Sequence, residues 1–296
     1  MSAAEPSKAG QAPPRWLVLS MVIAPALGAL GAVGLAIWRG QVSTSALILF
    51  GAFYLISAIG VEIGLHRYFS HRTFKCGPVV RFLLGAFGSM AGQGPVLFWA
   101  AVHREHHRFA DTELDPHAPG PRGGVTGFWR AHIAWLFTPR VLQMSKVLPD
   151  LIRDPTTLLI QRTYGYWLLA GLAAPALLGG ALGGPYGALE GFLWGGLVRM
   201  FVNHHVTWSI NSVCHTFGAR PNPTRDNSRN VWLLALPSLG GAWHNNHHAL
   251  PRSATNDFQA WQLDPGAWII RSAAKLGWVW DVREPPASVR RRERAV

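Results

Sequence analysis

Only two cysteines, Cys76 and Cys214, occur in the 296 residues. Two thiols cannot supply the thiolates of a protein-bound iron–sulfur cluster or the framework of a disulfide-stapled domain. Charge is scarce too, at 14% of residues, and acids are the scarcer sign, 15 against 27 basic side chains. Soluble domains carry about 25% charged residues, so the shortfall, with 49% hydrophobic residues and a positive mean hydropathy, argues for a membrane protein. No small-residue cleavage site follows the first apolar run, so that run reads as a retained helix rather than a signal peptide.

What is present are long apolar runs. Trp16–Trp38 and Gly165–Gly184 are free of charge and long enough to span a bilayer. Ser45–Leu65 carries only Glu62, and Tyr186–Trp208 carries Glu190 and Arg199. The short connectors 39–44 and 183–185 pair these four runs as two helical hairpins, with tryptophans at span ends as in an interfacial belt. The expected fold is therefore an all-α integral membrane protein. Its expected parts are a disordered tail over 1–15, a first hairpin over 16–65 and a polar-aromatic segment over 66–163. A second hairpin over 164–208, a polar cap over 209–285 and a basic tail over 286–296 complete it.

A net charge of +12 would suit a nucleic-acid binder, but its distribution does not. Lys and Arg number 2 in residues 1–15, 12 in 66–163 and 11 in 209–296, leaving Arg39 and Arg199. In a four-span chain with a cytoplasmic N-terminus those three blocks share one face, which is the positive-inside bias. The expected partner is a lipid bilayer and not nucleic acid. Both cysteines fall in those blocks, where a structural disulfide is not expected.

The stretch Val79–Trp99 is long enough for a fifth span, but Arg81 and the GQGP run weaken it. A crossing there would place His66 and His71 opposite His103, His106 and His107. It reads as an interfacial or re-entrant segment.

Nine of the 13 histidines fall into short clusters: His66 and His71 in HRYFSH, His103, His106 and His107 in HREHH, His215 in NSVCH with Asn211, and His244, His247 and His248 in HNNHH. Imidazole is the commonest protein ligand for transition metals, and nine exceed the needs of one ion, so two metals are expected. On a helix, positions i, i+3 and i+4 share a face, so each HxxHH trio can present three imidazoles one way, and Asn211 and His215 do the same. His66 and His71, five apart, stand about 140° apart on an ideal helix. They need a helix end or a turn, which Ser70 can help to form, or else they reach different metals. Nitrogen-rich sites suit iron, copper or nickel; zinc prefers fewer ligands, and structural zinc favours thiolates. Two redox irons are the preferred reading, a dizinc site the alternative. Since imidazoles bring no negative charge, water, hydroxide or oxygen species are expected to balance the metals. Glu62, Glu105, Asp111, Glu113, Asp115 and Asp226 are the acids available to hold the outer ring nitrogens; sequence does not choose among them. His117, His132, His204 and His205 stay outside the ligand set.

The order HRYFSH, HREHH, NSVCH, HNNHH resembles the membrane-bound fatty-acid desaturases of the acyl-CoA Δ9 (stearoyl-CoA) type. Flanking DTELDPH, GFWRAHIAWLF and RDNSRN agree, and the resemblance covers about residues 45–280. It implies four transmembrane helices capped by a cytosolic helical domain that holds a diiron centre. His66, His71, His103, His106, His107, His215, His244, His247 and His248 would ligate two irons, and Asn211 would approach one through water. It implies O2-dependent formation of a cis double bond in a saturated chain carried on coenzyme A or lipid. A hydrophobic tunnel would hold that chain, with Trp243 and Trp208 as candidates for its wall or for plain packing. Electrons would come from a separate ferredoxin, rubredoxin or cytochrome with its reductase, because no haem-binding signature is present. Two departures stand out: Gly240-Gly241-Ala242 replaces the family's Gly-Glu-Gly, leaving an acid missing at 241, and ATNDF lacks a basic His-Gly pair. A lipid or alkane hydroxylase using the same irons is the nearer rival, and a non-catalytic membrane metal-binding or transport protein the more distant one.

Overall fold

A computed structural model describes residues 15–121, 123–138 and 142–291; most of the tail expected over 1–15 and the last residues of the basic tail lie outside them. The chain is built almost wholly of helices. The first, α1 (Arg15–Arg39), is followed by α2 (Thr44–Ala58), which continues as a wider π-helix over Ile59–Ser70. Next come α3 (Pro78–Met90), α4 (Val96–Phe109), α5 (Gly124–His132), α6 (Met144–Val147) and α7 (Pro155–Arg162). Then α8 (Tyr164–Glu190) runs through a π-helical turn, Gly191–Val198, into α9 (Arg199–Ser212). The cap closes with α10 (His244–Ala249) and α11 (Pro265–Lys275). A two-residue antiparallel pairing of Lys75–Cys76 with Val279–Trp280 ties the end of the chain to the segment after α2.

Among the described residues three helical stretches are long and apolar enough to cross a membrane: Val18–Arg39, Thr44–Ser70 and Tyr164–His215. Their outward surfaces are apolar, with Leu30, Ile37, Ile48, Leu169 and Leu177 all exposed. Continuous exposed apolar surface of this kind marks contact with lipid or a partner. The third stretch is not straight. Gly183 and Gly184 leave helical geometry, Gly184 with φ +63°, and Pro185 follows. Beyond that break the chain doubles back so tightly that a Cβ on Gly179 would lie 2.1 Å from the Gly187 carbonyl oxygen, and one on Gly191 2.1 Å from that of Pro175. The two charges of the last run are satisfied within the bundle. Glu190 accepts from the Ser43 backbone N–H at 3.2 Å. Buried Arg199 donates to Ser57 Oγ at 2.9 Å and to the carbonyls of Gly195, Met90 and Gly171.

The ambiguous stretch 79–99 is two helices. α3 returns along α2 with backbones in contact, a Cβ on Gly60 falling 2.1 Å from the Gly88 nitrogen and one on Gly64 2.7 Å from the Leu84 oxygen. Gly92 and Gly94, both at positive φ, then break the chain before α4. His204 Nε2 donates to the Ala91 carbonyl in that break at 2.9 Å. The α3–α4 pair thus brings HREHH back to the end of α2 that carries HRYFSH.

Candidate metal centre

The π-helical end of α2 solves the problem of HRYFSH. Hydrogen bonds from i to i+5 widen the turn, so residues five apart come onto one face. The His71 N–H reaches the His66 carbonyl at 3.2 Å, and Ser70 Oγ donates to the Leu65 carbonyl at 2.7 Å. Carbonyls left at the helix end are taken by Arg104, whose guanidinium donates to Ser70 O, Phe69 O and Asp150 at 2.7–3.0 Å. The arginine inside HREHH therefore faces away from the histidines and fastens α4 to α2.

The nine histidines converge as two groups whose ligating nitrogens all lie within 4.8 Å of one another: His66, His71, His103, His107 and His247, and His106, His215, His244 and His248. The trios do not each point one way, as expected, but straddle both groups. On a helix, i and i+4 are about 40° apart while i+3 lies about 60° to the other side. His103 and His107 accordingly face the first group and His106 the second. In α10, His244 and His248 face the second group and His247 the first. Asn211, on α9, lines a cavity beside His106 and His244.

Four outer ring nitrogens are held by carboxylates. His66 Nδ1 donates to Glu62 at 3.1 Å, His106 to Asp115 at 3.0 Å, His215 to Asp111 at 2.9 Å and His248 to Asp226 at 2.8 Å. Asp115, fully buried, also accepts backbone N–H groups from Asp111, His117 and Ala118. Burial opposes ionisation of Asp115 and Asp226, yet His106 beside one and His248 beside the other hold both well below the usual carboxylate range. Burial first, and then repulsion from the neighbouring histidines, pushes His71, His103, His107, His244 and His247 well below the ordinary imidazole value, and His248 down to about 4 although Asp226 opposes the shift. For His106 burial acts the same way but Asp115 outweighs it, and its value rises. The charge expected only from exogenous oxygen species is thus supplied in part by carboxylates one hydrogen bond out.

This geometry suits metal ions. A neutral imidazole has one N–H; where Nδ1 gives it to a carboxylate, Nε2 presents a bare lone pair. His106 Nε2 and His248 Nε2 nonetheless face each other at 3.3 Å, and His66 Nε2 faces His247 Nε2 at 3.0 Å. His71 to His103 is 2.7 Å, His107 to His247 2.9 Å and His215 to His244 3.0 Å. For His106 and His248, whose Nδ1–H groups are both committed to carboxylates, a cation between the two Nε2 atoms relieves the lone-pair contact. Nitrogens about 2.1 Å from one ion and at right angles to each other are about 3.0 Å apart, matching these separations. The donor set, all imidazole without thiolate, fits a transition metal at each group.

A cavity joins the two groups to the helical bundle. Ala58, Val61, Trp99, Val206, Ile210 and Pro237 line it, with Asn203, Thr207, Ser238 and Asn211 as polar members, and His66, His103, His106 and His244 at its end. Trp99, one turn before His103, stacks on that ring at 5.1 Å. The tryptophans expected as candidates for this wall lie elsewhere: Trp243 donates to the Leu263 carbonyl at 2.8 Å and packs on Trp261, and Trp208 packs among His132, His204 and His205. The two asparagines of HNNHH are scaffold. Buried Asn245 and Asn246 are bonded to Asn222, Asn230 and Gln262, which fixes the six-residue α10.

Of the histidines left out, His117 stacks on His106 at 4.4 Å and, with Asp115, adjoins the second group. His132 bonds to Ser212 and His205, away from both groups. Glu105 meets Arg108 at the surface. Both cysteines are free and buried. Sequence could have found Trp99, one helical turn before His103, and the same spacing before His66 could have singled out Glu62 from the six available acids. Asp111 and Asp226 reach theirs only through loop closure.

A helical membrane-type fold with histidine groups able to hold metals defines the class, and comparison with known proteins names the family. The fatty acid desaturase family model matches residues 43–281, and the chain belongs to that family. It is 41% identical over 275 residues, 90% of this chain and 85% of the relative, to the hex-5-enoyl-[acyl-carrier protein] acetylenase of Moorena producens. It is 36% identical to Delta-9 acyl-lipid desaturase 1 of Arabidopsis thaliana, over 81% of this chain and 75% of the relative. To the acyl-CoA C20 Delta5-desaturase of Anemone leveillei it is 34% identical, over 80% and 73%. The chain is an oxidoreductase acting on fatty acyl chains, in a family that generally uses two irons and O2.

Proposed function

We propose that this chain is an O2-dependent desaturase that introduces a cis double bond, at the Δ9 position, into a saturated acyl chain carried on coenzyme A or lipid. The observation that carries the reading is the cavity lined by Ala58, Val61, Val206 and Ile210 together with histidines of both groups, His66 and His103 of one and His106 and His244 of the other. His66, His71, His103, His107 and His247 would hold one iron, and His106, His215, His244 and His248 the other, with Asn211 approaching through water. Bound there, the irons would supply the O2-activating chemistry that removes a hydrogen from each of two adjacent methylenes. O2 takes those two hydrogens with two electrons and two protons from outside and leaves as two waters. The electrons come from a separate ferredoxin, rubredoxin or cytochrome with its reductase, docking on the basic face.

The residues' own contribution is positional. Glu62, Asp115, Asp111 and Asp226 hold Nδ1–H groups so that Nε2 faces inward. Ala58, Val61, Val206 and Ile210 take the acyl chain out of water, at about 0.8 kcal/mol per methylene buried, and fix which methylene lies beside the metals. Trp99 closes the wall against His103.

Four membrane crossings go with this reading. A 52-residue helix would be about 78 Å long, against about 30 Å of hydrocarbon, and the chain doubles back at Gly183–Gly184. Two hairpins then place both termini and the histidines on the cytoplasmic face, where the basic blocks lie. A carrier-protein-linked chain is a second reading, favoured by the identity to the Moorena relative, whose name places its substrate on acyl-carrier protein.

The test is fatty-acid analysis of a host lacking its own oxygen-dependent desaturase, expressing this chain with a donor system, with and without air. An air-dependent product two hydrogens lighter, its double bond located by mass spectrometry, is expected. A product one oxygen heavier would replace this reading with hydroxylation. Membranes assayed with coenzyme A-, lipid- and carrier-protein-linked chains would separate the carriers.

A further inference from the structure

Among the described residues the first histidine group has one carboxylate on a ring nitrogen, Glu62, and that carboxylate is itself held at both oxygens. Glu62 divides its two oxygens: Oε2 accepts from His66 Nδ1 at 3.1 Å and Oε1 from Arg67 Nε at 2.9 Å. Arg67 is 1% exposed. It donates on to Asp264 Oδ1 at 2.9 Å and to the carbonyls of Ala254 and Leu239 at 2.8 and 3.2 Å. Asp264 is itself fixed by the backbone N–H groups of Asn256 and Ala267, both at 2.8 Å. A buried chain of polar contacts therefore runs from the start of α11 to the ring of His66.

Gly241 forms the opposite wall. A Cβ there would lie 2.8 Å from Glu62 Oε2, too close for both to stay. The backbone at Gly241 is not in the left-handed region that favours glycine, so conformation does not demand glycine here; the carboxylate does. The acid noted as missing at 241 is thus present in space, delivered from α2.

We propose that Glu62 is the positioning residue of the five-histidine group, and that Gly241 serves to leave its carboxylate room. The arrangement fixes the His66 ring so that Nε2 faces His71, His103, His107 and His247. This rests on the reading of those histidines as iron ligands and adds which acid orients them. It reverses the simple expectation that a carboxylate restored at 241 would improve iron retention, because two carboxylates would then contest one site.

The experiment uses the full chain in detergent, loaded with ferrous iron, and measures iron per chain and its release to a chelator. Outer partners of metal-bound histidines typically matter by about 10–100-fold in affinity. Glu62→Ala and Gly241→Glu should each weaken one iron by about that factor and leave the other unchanged. The double variant Glu62→Ala/Gly241→Glu should recover most of the loss, the carboxylate now entering from the other wall. A merely structural role predicts a double variant at least as impaired as either single one, and that result overturns the proposal. Gly241→Ala, a single methyl, guards against misfolding. It should loosen the same iron, and wild-type retention of both irons by it would also overturn the proposal. Wild-type protein that takes up no iron would instead strike the ligand assignment itself.

Discussion

Both histidine groups draw on α4 and α10, but the first adds the π-helical end of α2 and the second the turn after α9. Among the described residues the first has five imidazoles and one carboxylate, Glu62, on an outer nitrogen. The second has four imidazoles and three carboxylates, Asp115, Asp111 and Asp226, together with Asn211 nearby. Negative charge one hydrogen bond out raises the basicity of an imidazole and fixes its ring. Ligand number and outer charge are thus distributed unequally, so that bound metals would be held by count in one group and by charge in the other.

The largest expected effect removes a ligand from either group. His247→Ala or His106→Ala should abolish desaturation while leaving membrane insertion intact, measured as air-dependent unsaturation in the expression host and protein in the membrane fraction. If unsaturation survives either change at normal levels, the assignment of that group is wrong. The next effect separates the groups. Chelation of iron-loaded protein should be biphasic, the carboxylate-poor group releasing first. Asp115→Asn should accelerate the slow phase about 10-fold or more and leave the fast one unchanged. A single phase in both proteins would remove the proposed asymmetry.

Smaller effects concern the scaffold between the groups and the membrane. Trp99→Leu removes the ring stacked on His103 and widens the cavity, so double-bond formation should fall several-fold, roughly 1 kcal/mol for an aromatic contact of this kind, with a broader range of chain positions attacked. Gly60→Ala places a methyl against the Gly88 backbone and should cost about 1–3 kcal/mol of stability, read as a lowered Tm in detergent. Leu177→Ala, on the exposed apolar surface, should shift Tm by the equivalent of no more than about 0.5 kcal/mol. A large loss there would mean that the surface is packed against a partner rather than lipid.

How much of this was legible in the sequence differs by kind of feature. Long apolar runs identified the helices long enough to cross a membrane, and the glycine-rich turn after Met90 is where 79–99 breaks into two helices. The four clusters gave, as a set, the histidines that converge in space in groups able to hold metals, because histidine in ligand spacing has little other use. Their division into two groups was not legible. It depends on the π-helical winding of 59–70, a feature of packing without its own sequence signal, and on the slight angular spread within HxxHH. The carboxylates show the same contrast. Glu62 sits four residues before His66 and could be read from helical geometry, whereas Asp226 meets His248 only because the loop after α9 folds over the centre. Of the two readings open for Trp243 and Trp208 the structure takes plain packing, while the helical turn before His103 puts Trp99 at the cavity.

The nine histidines are proposed to make two metal sites of unequal character in one centre. Metal analysis of the purified full chain, together with Mössbauer spectra of protein loaded with 57Fe, tests it most directly. The account predicts about two irons per chain, as nine imidazole donors at near-3 Å spacing require, in two distinguishable environments. One ion per chain, or two zincs that resist exchange for iron, would contradict it.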